Sequence, residues 1–167
     1  MIPPSTYLAL PIMVILTIIQ TAILPHFPIF GVVPSLPFLV ALSWALLRGA
    51  NEGAIWGFIA GFFMDLFTAA PAGGLALTYM AAVFSVAMIN EVLPANRLVI
   101  PMILAAAATI LQWILYAIYL GLFGYNVFQM ISTSLLPLVV LQTILILPIY
   151  WLFYVIQRIL WPRPVEI

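Results

Sequence analysis

Long apolar runs, separated by short segments rich in proline, glycine or charge, dominate the sequence. A helix that crosses the hydrocarbon core of a bilayer needs about 20 predominantly apolar residues. The chain divides into six such runs, and we predict a transmembrane helix for each. They lie at about residues 6–24, 33–48, 51–68, 75–93, 98–121 and 128–159. We therefore expect an all-α integral membrane protein, a six-transmembrane-helix bundle forming a single domain over residues 1–167.

Two of the predicted helices carry features that modify this picture. The first has no basic flank and no small-residue cleavage pattern, so we expect a retained anchor rather than a signal peptide. The sixth contains Pro137 and Pro148. Because proline removes a helical hydrogen bond, we expect these residues to break or kink the last helix.

Composition agrees with a membrane location and excludes several functions. Hydrophobic residues make up 67% of the chain and charged residues 5%, against about 25% charged in an ordinary globular domain. The net charge is zero and there is no basic cluster, so we expect lipid and no nucleic acid as a partner. Cysteine is absent. With no nucleophile beside a base and no metal-ligand cluster, we predict a protein that is not an enzyme and has no cofactor.

The four arginines set the predicted orientation. With six spans, Arg48, Arg97, Arg158 and Arg163 all fall on the same side of the membrane. An excess of arginine in short loops marks the cytoplasmic side. We therefore predict that both termini are cytoplasmic.

The loop charges on that side form two groups. Arg48 and Glu52 are four residues apart, and Glu91 and Arg97 flank a proline turn, so we expect local ion pairs. A re-entrant hairpin over residues 34–67 is the alternative to two full spans. It would bury Arg48 and Glu52 in the bilayer at a cost of several kcal/mol, so we favour two spans.

Small residues at strict four-residue spacing distinguish the third predicted helix. They are Gly49, Gly53, Gly57 and Gly61, and the next position in the series is Asp65. Residues at i and i+4 lie one above another on a helix, so the four glycines form a smooth ridge that another helix can approach closely. Packing within the bundle is one interpretation of the ridge, and docking of a separate subunit is the other.

Asp65 is the only acidic residue not assigned to the cytoplasmic edge. An ionisable residue in a membrane segment is a functional candidate, because an unpaired charge there is costly. The alternative is a structural hydrogen-bond acceptor, which we favour because no second buried acid, lysine or mid-membrane histidine is present for proton relay. We expect Gln20, Thr78 and Tyr79 to donate to Asp65. Asp65 could also cap the start of the following turn, with the backbone of residues 68–74 folding over its carboxylate.

The residues around this aspartate resemble the rod shape-determining protein MreD family. The resemblance lies in residues 53–67 (GAIWGFIAGFFMDLF), followed by Pro71, Gly73 or Gly74, and the run ALTY at residues 76–79. It covers the third and fourth helices closely, while the other spans agree in number, length and hydropathy.

This resemblance implies a noncatalytic scaffold in the cytoplasmic (inner) membrane. It implies a place in the elongation complex, or elongasome, which organises cell wall peptidoglycan synthesis and rod cell shape. The expected direct partner is the single-span protein MreC, with the glycosyltransferase RodA, a class B penicillin-binding transpeptidase and the actin-like MreB in the wider complex. Our hypothesis is that the glycine ridge, or a face beside it, receives the MreC helix, and that Asp65 fixes the outer loop.

The resemblance also implies a rival function. Members of the family are similar in fold to the substrate-binding subunits of energy-coupling-factor vitamin transporters. A small-molecule carrier should have polar groups that converge on an outer pocket. The outer loops offer few such groups besides Asn126 and Gln129. A channel or proton-coupled transporter would require a hydrated polar path, and the sequence shows none.

Overall fold

A computed structural model describes residues 5–93, 99–126 and 128–160, without the side chains of residues 5, 6, 128–133 and 160. Over these residues the chain forms six α-helices and a single 3₁₀ turn at Leu24–His26, with no strand. The helices are α1 (Ser5–Ala22), α2 (Leu36–Arg48), α3 (Ala50–Asp65), α4 (Gly74–Val92), α5 (Val99–Leu122) and α6 (Phe128–Leu160).

The observed helix bounds lie within three residues of the predicted ones, but α6 differs in kind. It runs without interruption through Pro137 and Pro148, so the expected break does not occur. Helix-breaking residues are tolerated in membrane helices where neighbouring groups satisfy the freed carbonyls.

Among the described residues, four segments are long and apolar enough to cross a membrane, and they lie in or around α1, α4, α5 and α6. They are Tyr7–His26, Gly74–Val92, Val99–Leu122 and Ser134–Ile159. The two remaining helices are shorter, with 13 residues in α2 and 16 in α3. At 1.5 Å per residue these correspond to roughly 20 and 24 Å.

Helix α2 is the centre of the bundle. It packs against α1, α3, α4, α5 and α6, and every residue from position 37 to position 46 is buried. A helix that is apolar around its whole circumference is typical of such an enclosed position. The other five helices therefore form the wall around α2, and their outward faces carry the exposed apolar side chains.

A tight turn at Gly49 joins α2 to α3. Gly49 has a φ of +100° and donates its N–H to the Ala45 carbonyl at 2.8 Å. Residues with side chains rarely adopt this φ, so the turn favours glycine. Gly49 therefore belongs to the turn and not to α3, which corrects its predicted place in the third helix. Trp44 of α2 and Trp56 of α3 lie on either side of the turn, and their indole rings stack with centroids 4.4 Å apart.

Helices α3 and α4 run antiparallel and begin and end at similar depths. At one end the Ala50 N–H contacts the Glu91 side chain, and at the other Asp65 contacts the first residues of α4. We call these the Gly49 end and the Asp65 end of the bundle. Because α4 is long enough to cross a membrane, its alignment with α3 supports a full crossing by α3.

Helices α5 and α6 are joined by a buried polar contact. The oxygen of the Thr109 hydroxyl lies 2.6 Å from the amide of Gln142 and 2.7 Å from the Ala105 carbonyl. Both contacting atoms, the Gln142 Oε1 and the Ala105 carbonyl oxygen, are acceptors, and the single Thr109 hydroxyl proton is shared between them. Phe153 of α6 packs edge-on against Trp44 and Trp56, which fixes α6 on the centre of the bundle.

We predict that α3 crosses the membrane completely. Cysteines introduced by Asn51→Cys and Ala72→Cys lie at exposed positions at the Gly49 and Asp65 ends respectively. Because the chain has no native cysteine, each should react alone with a membrane-impermeant maleimide, and from opposite faces of sealed vesicles. Reaction of both from one face would show that α2 and α3 form a re-entrant hairpin.

Candidate helix-packing and interaction site

The glycine ridge of α3 faces α4 along two of its turns. A Cβ atom added to Gly57 would lie 3.1 Å from the Tyr79 carbonyl oxygen. One added to Gly61 would lie 2.6 Å from the Ala76 Cα and would meet the Leu75 carbonyl group even more closely. The obstacle in both cases is backbone, which cannot move aside as a flexible side chain can. Glycine at these positions therefore allows the two helix backbones to come into contact.

The same ridge meets α2 one turn nearer the Gly49 end. A Cβ atom on Gly53 would lie 2.8 Å from the Cα of Ala45 and would overlap the Ala45 side chain. The same Cβ atom would lie 3.3 Å from the side chain of Val83 in α4. Gly53 thus lies where three helices converge.

These contacts favour the internal interpretation of the ridge. Gly53, Gly57 and Gly61 are all buried within the chain. A helix from a separate subunit could reach them only if α2 or α4 moved away. The expectation that such a helix docks into the ridge itself is therefore corrected, because the chain's own helices fill that space.

Asp65 caps the N-terminus of α4. Its carboxylate accepts hydrogen bonds from the backbone N–H groups of Gly73 at 3.1 Å, Leu75 at 3.0 Å and Ala76 at 2.9 Å. The first N–H groups of a helix lack partners within the helix, and the positive end of the helix dipole favours a negative charge there. Gly73, the N-cap residue, has no side chain to serve as acceptor. Asp65, at the end of the preceding helix α3, supplies the acceptor oxygens instead.

Thr78 and Tyr79 were expected to donate to Asp65 but make their hydrogen bonds elsewhere. The Thr78 hydroxyl donates to the Gly74 carbonyl within α4 at 2.8 Å. The hydroxyl groups of Tyr79 and Ser35 are hydrogen-bonded to each other at 2.8 Å. The predicted alternative, a carboxylate that caps the following turn, matches the observed geometry because backbone amides occupy both Asp65 oxygens.

Gln20, the third expected donor, also has another role. Its side-chain oxygen accepts a hydrogen bond from the Leu36 N–H at 2.9 Å, at the first turn of α2. The N-cap residue Ser35 makes no capping hydrogen bond of its own. Gln20 of α1 therefore caps α2, in the way that Asp65 of α3 caps α4.

A third cap lies at the Gly49 end. The Glu91 carboxylate accepts a hydrogen bond from the Ala50 N–H at 3.2 Å, at the start of α3. Its neighbour Asn90 donates from its amide to the Leu46 carbonyl near the end of α2 at 3.2 Å. Arg97, the predicted partner of Glu91, lies outside the described residues, so that ion pair stays a prediction.

Arg48 and Glu52 pair at the same end, as their spacing predicts. The Arg48 Nε lies 3.6 Å from the Glu52 carboxylate. Glu52 also accepts a hydrogen bond from the Trp44 indole at 3.2 Å. The Arg48 guanidinium lies 5.8 Å from the centre of the Trp44 ring. These contacts hold the two sides of the Gly49 turn together.

Tyr119 closes the Asp65 end and was not singled out from the sequence. Its hydroxyl lies 3.1 Å from the Ala72 carbonyl and 3.3 Å from the Pro71 carbonyl. Its ring covers Gly74, where an added Cβ would lie 2.5 Å away. A tyrosine near a helix end is common, so no sequence signal identified it. The loop between α3 and α4 is thus held by Asp65 from one side and Tyr119 from the other.

The reverse side of α3 is aromatic and exposed. Phe58 is 42% exposed and Phe62 49%, and their rings lie nearly parallel with centroids 6.4 Å apart. One turn further on, Leu66 is 62% exposed. The ridge thus fixes one face of α3, while the opposite face remains available for an external contact.

Chemically, the site joins helices. Its polar groups face backbone amides and carbonyls, and no group of three or more metal-ligating side chains occurs among the described residues.

A family model described as rod shape-determining protein MreD matches residues 4–159. No curated protein and no solved structure gives a significant match. The expected similarity in fold to energy-coupling-factor subunits therefore stays a prediction.

We predict that Asp65→Ala destabilises the protein by roughly 3 kcal/mol, because backbone N–H groups at the start of α4 lose their acceptor in an apolar environment. Asp65→Asn, which keeps one acceptor oxygen, should lose less. Unfolding in detergent, followed by circular dichroism, measures both. Glu91→Gln is the matched control, since its amide oxygen can still accept from Ala50. Equal stability of the Asp65→Ala variant and the parent chain would refute the capping role.

We predict opposite effects for two glycine-to-alanine substitutions. Gly61→Ala places a methyl group against the backbone of α4 and should cost about 1–3 kcal/mol or more. Gly121→Ala, in α5, meets nothing within 4 Å and should be neutral or stabilise by up to about 1 kcal/mol. The shift in thermal unfolding midpoint in detergent reports both. A Gly61→Ala variant as stable as Gly121→Ala would contradict the close approach of α3 and α4.

Proposed function

The chain belongs to the MreD family, and from this membership we propose that it is a noncatalytic membrane scaffold of the bacterial cell-elongation complex. Family membership gives it a role in determining rod shape, and its apolar helices make it a multi-pass membrane protein. We propose further that it binds MreC and so helps to organise peptidoglycan synthesis.

The packing of α3 between α2 and α4 is the observation that carries this proposal. Backbone contacts at Gly57 and Gly61 leave little freedom for the two helices to slide. The caps at Asp65 and Glu91 fix the ends of the same helix pair. A scaffold has to present its surfaces at fixed positions, and a unit held in this way can do so.

The surface proposed for the MreC transmembrane helix is the exposed face of α3 opposite the ridge, formed by Phe58, Phe62 and the adjoining residue Leu66. Aromatic side chains bury a large area with few rotatable bonds, which favours contact between helices. The support for this choice is that the ridge itself is filled, whereas this face is exposed over two helical turns. RodA, the class B penicillin-binding transpeptidase and MreB are proposed as members of the wider complex.

The proposed location is the cytoplasmic (inner) membrane, with the Gly49 end and both termini in the cytoplasm. Arg48 lies at that end, and Arg158 lies in the last turn of α6. Phe153, a little over one turn before Arg158, packs against Trp44, which supports placing the two arginines on one side. Arg97 and Arg163 lie outside the described residues, so their place rests on the sequence.

Cysteine cross-linking tests the proposed surface. Phe58→Cys and Phe62→Cys should each form disulfides with cysteines placed along the MreC transmembrane helix. The reactive MreC positions should recur every three to four residues, because two packed helices share one face. Oxidation in native membranes followed by electrophoresis without reductant measures the yield.

Ile103→Cys and Ile114→Cys are the matched controls, since these α5 residues are similarly exposed, at 60% and 49%. They should give little cross-linking. Strong reaction on α5 with none on α3 would place MreC on another wall of the bundle. Absence of cross-links at every position, while MreC still co-purifies, would show that the contact lies outside the transmembrane helices.

A further inference from the structure

The connection between α1 and α2 contains a tight hairpin turn. Ile29 and Val32 exchange backbone hydrogen bonds of 3.0 and 3.1 Å. The two residues between them have positive φ angles, 52° at Phe30 and 76° at Gly31. Two central residues with positive φ define a type I′ turn. We call residues 29–32 the outer hairpin.

Phe30 is an unusual residue for its position in this turn. Asparagine, aspartate and glycine are the residues that normally adopt positive φ there, and a bulky side chain in this region is an outlier. Its side chain is 84% exposed, so it is little buried by the part of the chain that the structure describes. Phe27 is 72% exposed beside it. The strain is therefore not offset by burial within the protein.

The outer hairpin lies at the Asp65 end of the bundle. Gln20 contacts Leu36 at the start of α2, and Ser35 contacts Tyr79 in the second turn of α4. From Gln20 the chain continues for six more residues to His26, about 9 Å at the helical rise. This brings the hairpin close to the level at which α4, a helix long enough to cross a membrane, begins.

The composition of this segment fits an apolar boundary. From residue 27 to residue 33 the sequence is FPIFGVV, with no charged, hydroxyl or amide side chain. The outward face of α1 before it is apolar too, since Ile18 is 53% exposed, and Ile23, just after the helix, is 51% exposed. In a membrane protein that face of α1 meets lipid.

We propose that the outer hairpin is a lipid anchor that holds the Phe30 ring at the boundary between headgroups and acyl chains, in the leaflet at the Asp65 end. Aromatic rings favour this zone of the bilayer, and an apolar tip of this kind gains from it without any polar partner. A protein partner is less well matched, because the hairpin offers only apolar side chains and its facing backbone groups are bonded to each other. The anchor is independent of the scaffold role and fixes the entry of α2.

Site-directed spin labelling tests the anchor in the full-length chain reconstituted into phosphatidylglycerol and phosphatidylethanolamine vesicles. A label at Ile29→Cys, with Phe30 intact, should be shielded from a water-soluble nickel chelate. Its accessibility should lie between those of labels at Ile18→Cys, on the lipid-facing side of α1, and Ala72→Cys, in the loop at the Asp65 end. A label at position 29 as accessible as that at position 72 would overturn the proposal.

Phe30→Asn provides the matched variant, because asparagine suits the turn but lacks the ring. In this background the nickel accessibility of the label at position 29 should rise towards that at position 72. The unfolding midpoint in detergent should not fall, which shows that the turn still forms. Unchanged shielding without the ring would refute the role of Phe30. Shielding that arises only when MreC is added would identify a protein as the occupant and also overturn the proposal.

Discussion

The backbone N–H groups at the start of a helix need hydrogen-bond acceptors, and a bilayer supplies none. In this protein α2, α3 and α4 follow Ser35, Gly49 and Gly73, and none of these N-cap residues provides a side-chain cap. Each helix is capped instead by a residue of another helix, namely Gln20, Glu91 and Asp65 respectively. Two of these caps, Glu91 and Asp65, are charged residues, although charged residues make up only 5% of the chain.

Capping by another helix also fixes how the helices pack. Because Asp65 of α3 holds the start of α4, and Glu91 of α4 holds the start of α3, the pair is joined at both ends. This register brings Gly61 opposite Ala76 and Gly57 opposite Tyr79, where only glycine allows the approach. The caps and the ridge thus depend on each other, and the aromatic outer face of α3 takes its position from both.

Much of this arrangement could be predicted from the sequence, and the reasons for the remainder are specific. The apolar runs predicted six helices because the bilayer imposes a length on each. Four-residue spacing indicated a glycine face, but spacing on one helix does not show which other helix covers it. Asp65 was recognised as needing partners. Its actual partners are backbone amides, which every residue carries, so no side-chain pattern pointed to them. The contributions of Tyr119 and Phe30 depend on local geometry alone.

The enclosed position of α2 has a consequence for how the protein is made. Helices enter the membrane in the order of synthesis, so α2 is present before α5 and α6 exist. Its surface against those later helices, including the contact of Trp44 with Phe153, must first be covered by lipid or by the insertion machinery. Helix α2 is therefore synthesised early but is among the last of the described helices to reach its final surroundings, and the centre of the bundle is completed only when α6 arrives.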